Sequence, residues 1–170
     1  MADDFWYKID SLEHLEEADM KILLATDGAK QSNAAVDMLK RLVIHDGDHI
    51  TVISVVDLAM PMAMDIYGGY LPDTTEFEKA AKENATRILA ETEKSLRSQL
   101  GEKKVDIATE LLIGSPESRI VEMADEIKPD LVIVGSHGYS GWERLLLGSV
   151  SDAVVHHAPC SVMVVRCPSE

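Results

Sequence analysis

Residues 131–149 read Leu131-Val132-Ile133-Val134-Gly135-Ser136-His137-Gly138, then nine residues, then Gly148-Ser149 at the head of an amphipathic run. Four apolar residues driving into a glycine turn are the pattern of a buried parallel strand reaching the rim of its sheet. Gly135 and Gly138 allow a backbone to pass close to a ligand where a Cβ would collide. The run that begins at Gly148-Ser149 offers a helix N-terminus, whose first N–H groups lack partners and whose dipole favours an anion. Strand, glycine turn, wide loop and serine-headed helix together read as a phosphate cradle.

Working outward, the same alternation recurs along the chain. Lys21–Thr26 is a short apolar strand stopped by Asp27-Gly28. Ser32 is expected to cap a helix reaching about Val43, with Ala35, Val36, Leu39, Leu42 and Val43 on one face. Ile50–Val56 is a second buried strand, rich in β-branched residues. A Met- and Gly-containing loop follows. A long helix then runs from about Thr75 to Leu100, with Phe77, Ala81, Ala85, Ile88, Leu89, Leu96 and Leu100 at helical spacing. Val105–Ile113 reads as a third strand. Ser115-Pro116-Glu117 opens a helix with cap, proline and acid in the preferred places, and its stripe is Ile120, Met123, Ala124 and Ile127. Leu131–Val134, a helix from about Ser149 to His157, and a last strand Ser161–Val165 complete the order. Strands alternating with helices predict an α/β fold with a parallel sheet covered on both faces.

The chain has 170 residues, with 30 acidic against 16 basic side chains and a formal net charge of −14. One domain of this size buries roughly 70% of its unfolded surface. So acidic a surface repels nucleic acid, whose binding rests on Lys and Arg neutralising phosphates. Small anions held by local backbone amides stay open. Cys160 and Cys167 are the only cysteines, too few for a disulfide framework and without metal-ligand spacing, so reduced thiols are expected. No apolar stretch reaches the ~20 residues of a membrane span, and the acidic Met1–Asp4 start is unlike a signal peptide. These features point to a cytoplasmic chain without membrane or nucleic-acid partners. Residues 1–19 carry seven acids and one base around Phe5-Trp6-Tyr7 and are read as an acidic N-terminal extension, either a mobile arm whose aromatics dock on the body or a partner-binding peptide. The domain proper is assigned to 20–167.

In a doubly wound sheet, ligands bind at the carboxyl ends of the strands where their order reverses. With strand order 3-2-1-4-5, the first and fourth strands meet at that switch. Asp27 then lies beside Gly135, and the end of the second strand, Val55 to Asp57, is next along. A carboxylate, strand-end backbone and an anion-binding turn in one crevice suit a nucleoside phosphate.

At these residues a family resemblance becomes visible. Gly135-x2-Gly138-x9-Gly148-Ser149, with Lys21-Ile-Leu-Leu-Ala-Thr-Asp27 near the start, resembles the ATP-binding branch of the universal stress protein family, from about Met20 to Arg166. The resemblance implies a five-stranded parallel sheet of the Rossmann-like, adenine nucleotide alpha hydrolase-like kind. It places adenosine near Ala25 and Asp27, with Val55 offering backbone atoms to adenine. Phosphates fall to Gly135, His137, Gly138, Gly148, Ser149, Val150 and Ser151, the last supplying a further hydroxyl. ATP is the implied ligand, with AMP or ADP as alternatives and Mg²⁺ or Mn²⁺ carried by the phosphates. A homodimer paired antiparallel along the last strand, Ser161 to Arg166, is also implied, and it would cover an apolar edge otherwise prone to aggregate.

There are departures. Ala25 stands where many relatives carry proline or another larger residue, the loop from Leu58 to Thr75 is long and Met-rich, and Glu143 adds a negative charge within the phosphate loop. Asp27 could be only a strand-ending turn residue, Ser149 only a helix cap, and His137 a solvated loop side chain. The expected role is a nucleotide-binding regulatory protein. One alternative is a slow ATP-hydrolysing enzyme, although the His-x-Gly-His, Ser-Gly-Gly-x-Asp-Ser and Walker patterns are absent. The other is an interaction dimer with a vestigial pocket.

Overall fold

The computed structural model describes residues 19–58, 75–136 and 147–167. In chain order these are β1 (Lys21–Ala25), α1 (Lys30–Leu39), β2 (His49–Val56), α2 (Thr75–Leu100), β3 (Asp106–Ile113), α3 (Pro116–Ile127), β4 (Leu131–Gly135), α4 (Ser149–His157) and β5 (Ser161–Val165). The five strands form one parallel sheet in the order β3-β2-β1-β4-β5, the order assumed in the sequence reading.

Alternation of side chains across each strand builds a core on both faces. Ile22 and Leu24 of β1 join Val36 and Leu39 of α1, Leu89 and Leu96 of α2, and Ile133 of β4 on one face. Leu23, between them in sequence, points the other way, to Ile120 and Met123 of α3, Val132 of β4 and Val154 of α4. A strand buried on both faces must be apolar at successive positions, which is why Lys21–Ala25 and Leu131–Gly135 read as continuous runs.

The helix ends differ from the sequence reading in three places. α1 begins at Lys30, and Ser32 lies inside its first turn rather than at the cap. α1 stops at Leu39, because Arg41 and Leu42 turn back in i→i−3 hydrogen bonds to Met38 and Leu39. Leu42 still packs against the core, but Val43 is 72% exposed. Along α2 the buried residues begin only at Ala85, and Phe77 is 66% exposed. Length explains this: 26 residues of helix run about 39 Å, whereas the eight-residue strands beneath span about 26 Å. The first turns of α2 therefore have no sheet to cover. Ser115 does occupy the N-cap of α3, with Pro116 at the first helical position and Glu117 behind it, although its hydroxyl makes no capping bond.

α3 ends on Lys128 at φ 48°, the left-handed region, where a side chain is strained. Its exposed ion pair with Asp125, at 3.2 Å, returns little. Lys128→Gly is expected to raise stability by about 1 kcal/mol, read as a higher urea midpoint at unchanged slope. A midpoint at or below the parent's would refute the strain.

Both cysteines are free and half-buried at opposite ends of β5. Burial pushes the Cys160 thiol up, with the Asp130 carboxylate adding to the rise against a backbone hydrogen bond from Val132. Among the described residues no helix is long and apolar enough to cross a membrane.

Candidate functional site

β1 and β4 lie side by side in register, Ile22 with Leu131 through Leu24 with Ile133, so both chains leave the sheet at one place. Thr26 extends β1 by one more bond, its N–H donating to the Ile53 carbonyl at 2.9 Å. The chain then reverses through Gly28 at φ 75°, a conformation glycine adopts freely.

Asp27 shapes that reversal. Its Oδ1 accepts the Ala29 N–H at 2.9 Å and the Ser32 hydroxyl at 2.6 Å. It fixes the turn that leads into α1, whose cap residue is Ala29 and which has no side-chain cap bond. Ser32, the expected cap, donates to Asp27 instead. The Ser32 hydroxyl, 6% exposed, also lies 3.3 Å from the Thr26 hydroxyl, which in turn accepts the Gly28 N–H. Both helix-opening side chains are thereby locked to the strand end. Only Oδ1 of Asp27 is engaged among the described residues, so Oδ2 retains its accepting capacity.

Gly135 closes the other side. A Cβ built there would stand 2.8 Å from the carbonyl carbon and oxygen of Gln31 and 2.9 Å from the Ser32 nitrogen. The structure thus corrects the reason for this glycine: the backbone that passes close to it is the first turn of α1, not a ligand. One residue on, the Ser136 N–H donates to the Val165 carbonyl at 2.9 Å and ties the turn to β5.

The carbonyl of Ser136 is a second fixed point. It accepts the Gly148 N–H at 2.8 Å and the Ser151 hydroxyl at 2.9 Å. The loop leaving β4 and the head of α4 are held together there. Ser151 is 1% exposed, so its hydroxyl, expected to face phosphates, donates inward to the protein. Intrahelical bonding in α4 begins at Asp152, whose N–H meets the Gly148 carbonyl at 2.9 Å. The amides of Ser149, Val150 and Ser151 precede that bond and have no intrahelical acceptor. His137 and Gly138, the remaining members of the glycine motif assigned to phosphates, lie outside the described residues.

Between these two fixed points lies a crevice of about 130 Å³. Asp27, Val55 and Gly135 line it, the three that the strand-end argument brings together. So do Ala25 and Val150, although Val150 was assigned to the phosphates and here borders the apolar slot. Gly148 and Ser149 stand at the α4 head beyond its lining. Thr26, Ser32, Ile53, Pro116, Ile120 and Val134 complete the walls and were not foreseen. Pro116 and Ile120 carry a signal that could have found them. In a βα unit each helix starts at the carboxyl edge of the sheet, so the first inward residues of α3 must border the same cleft. Asp27 is the one ionisable side chain among the lining residues. An otherwise apolar slot with one hydrogen-bond acceptor suits a flat heterocycle and its hydroxylated sugar, whereas the α4 head suits an anion.

Residues 20–166 match the model of the universal stress protein family. A Staphylococcus aureus protein (strain USA300), named for the same family, is 32% identical over 146 residues, 85% of this chain and 82% of its own length. A universal stress protein family structure from Arabidopsis thaliana with AMP bound is 17% identical and superposes with a TM-score of 0.64 over 88% of this chain and 93% of its own. A universal stress protein in complex with cAMP is 25% identical, with a TM-score of 0.58 over 88% of this chain and 98% of its own.

Proposed function

We propose that this chain, which belongs to the universal stress protein family, is a nucleotide-binding regulatory homodimer that holds ATP, AMP or ADP in the β1–β4 crevice. The observation that carries the reading is Asp27: one carboxylate oxygen holds the Ala29 amide and the Ser32 hydroxyl, and the other meets no partner among the described residues where it borders an otherwise apolar slot. Ribose hydroxyls or an exocyclic amine can donate to that oxygen. The slot between Ala25, Val55 and Val150 takes the base, and the backbone of Val55 at the strand end offers it polar atoms. Phosphates lie toward Gly148 and the amides of Ser149 and Val150, with Gly135, His137 and Gly138 on the connecting loop and Mg²⁺ or Mn²⁺ on the phosphates. Ser151 serves by positioning, since its hydroxyl holds the α4 head to Ser136. That two family structures contain AMP and cAMP supports an adenine nucleotide.

Binding is preferred to turnover on the sequence, which lacks the His-x-Gly-His, Ser-Gly-Gly-x-Asp-Ser and Walker patterns of related nucleotide-cleaving folds. The dimer is assigned to β5, Ser161 to Arg166, an outer strand of the sheet whose Val162, Met163 and Val164 are only half-buried. The acidic segment 1–19 is assigned as an extension outside the 20–167 domain.

Calorimetric titration of nucleotide-stripped protein with Mg·ATP, and separately with AMP, is expected to give micromolar binding near one per chain. Asp27→Asn keeps an oxygen for the Ala29 amide and the Ser32 hydroxyl but removes the charge and the second acceptor oxygen. It is expected to weaken binding at least tenfold, roughly 1.4 kcal/mol, with the melting temperature nearly unchanged. Equal affinity in parent and variant would remove Asp27 from the site, and no binding by the parent would refute the reading.

A further inference from the structure

A second concavity, of about 650 Å³, lies on the other face of the sheet between α1 and the end of β5. Its floor is apolar, with Ala34, Met38 and Val165, and its walls carry Lys30, Arg41 and Arg166, with Asp37 the one acid. Asp37 is occupied by Lys40 at 3.0 Å. The arginines set this groove apart. Of the five described in the chain, Arg87, Arg97 and Arg119 each pair with a glutamate three or four residues along their own helix. Arg41 and Arg166, on opposite walls of the groove, meet no carboxylate among the described residues. On a chain of net charge −14 these two arginines make the groove locally positive.

We propose that this groove is the docking site of the chain's own acidic N-terminal arm, residues 1–18. Charge complementarity is the first argument. Within residues 1–18 stand Asp3, Asp4, Asp10, Glu13, Glu16 and Glu17 against Lys8 alone. Composition is the second: Phe5-Trp6-Tyr7 match an apolar floor, and aromatic faces stack on guanidinium groups. Reach is the third. β1 and β5 run parallel, so the arm enters at the end where α1 finishes, beside Arg41, and Arg166 lies at the far end. Lys30 to Arg41 spans about 16 Å of helix, and the twelve residues from Tyr7 to Asp19 extend up to ~40 Å. Covalent attachment supplies a local concentration of order millimolar, so weak individual contacts suffice.

The test uses the full chain carrying Trp142→Phe, which leaves Trp6 as its sole tryptophan. Acrylamide quenching of Trp6 is compared with that of Arg41→Glu/Arg166→Glu in the same background. A charge-matched control carries Lys79→Glu/Lys94→Glu on α2. The expected result is at least a twofold rise in the quenching constant for the arginine pair and none for the control, with 0.5 M NaCl raising the parent toward the same value. No rise, or an equal rise in the control, overturns the proposal. Arg166 also ends the strand assigned to the dimer, so Arg41→Glu alone, on the α1 wall, is measured beside the pair. It is expected to raise the quenching constant with the sedimentation coefficient unchanged. A changed sedimentation coefficient with Trp6 quenching unaltered overturns the proposal. All four substituted side chains are exposed or half-exposed, and a cooperative melt in each variant establishes that the fold is retained.

Discussion

Gly135→Ala is expected to destabilise the protein by about 3 kcal/mol, the upper end of the usual cost of overpacking. The added methyl meets the carbonyl of Gln31 and the amide of Ser32, backbone atoms that have no alternative rotamer. β4 or α1 must therefore move, against the sheet pairing of β4 with β1 and β5 on one side and the buried Ala35, Val36 and Leu39 on the other. For a chain of this size each kilocalorie lowers the melting temperature by about 2–4 °C, so a fall of about 6–12 °C is expected. The measurement belongs in nucleotide-free protein, because a ligand that binds only the folded state would add stability of its own. A melt within 2 °C of the parent would show that the helix yields, and that the close approach does not dictate glycine here.

Asp48→Ala is expected to cost about 3–4 kcal/mol, and it acts at the opposite end of the sheet. Asp48 is 3% exposed; its Oδ1 accepts the Met20 N–H and its Oδ2 the His45 N–H, both at 2.8 Å. Its own carbonyl accepts the Asp106 N–H at 3.0 Å, so a single residue gathers the starts of β1, β2 and β3. Each hydrogen bond to an ionised group is worth about 1.5–3 kcal/mol, and alanine removes two while burying the stranded donors. Asp48→Asn keeps one acceptor and should lose about half as much. Urea unfolding checks both: a lower midpoint at unchanged slope is expected, and an alanine variant within 1 kcal/mol of the parent would contradict the assignment.

Neither residue stands out in the primary sequence for the reason it matters. Asp48 reads as a turn acid between Gly47 and His49, and its two amide partners lie in different parts of the chain. Gly135 reads as a ligand glycine because strand-glycine-loop patterns usually are, and only the path of α1 reveals another cause. What the sequence does make legible is whatever depends on nearest neighbours. The β1 and β4 runs announce burial on both faces, and Pro116-Glu117 marks the start of α3. The order β3-β2-β1-β4-β5 is one of several that doubly wound sheets adopt; assumed at the level of sequence, it is the one the structure has. Val43 and Phe77 continue an apolar periodicity past the point where there is a sheet to receive it, and periodicity carries no information about that limit. Ala25, Asp27, Val55 and Gly135 were legible as neighbours because strand ends converge. Pro116 and Ile120 are legible only by a further step, from the rule that each helix of a βα unit starts at the carboxyl edge of the sheet.

The paired acceptance at the Ser136 carbonyl has a consequence for how such a chain can vary. Gly148 and Ser151 bring the sequence back to the carbonyl of Ser136, so the stretch between 136 and 148 is closed at both ends on one atom. A stretch closed in this way changes length cheaply: doubling it adds only about 0.6 kcal/mol of closure entropy. Insertions and deletions there leave both anchor residues where they stand. The length of this stretch and the integrity of the sheet are thus separable traits, and the first can vary while the second stays under its own selection.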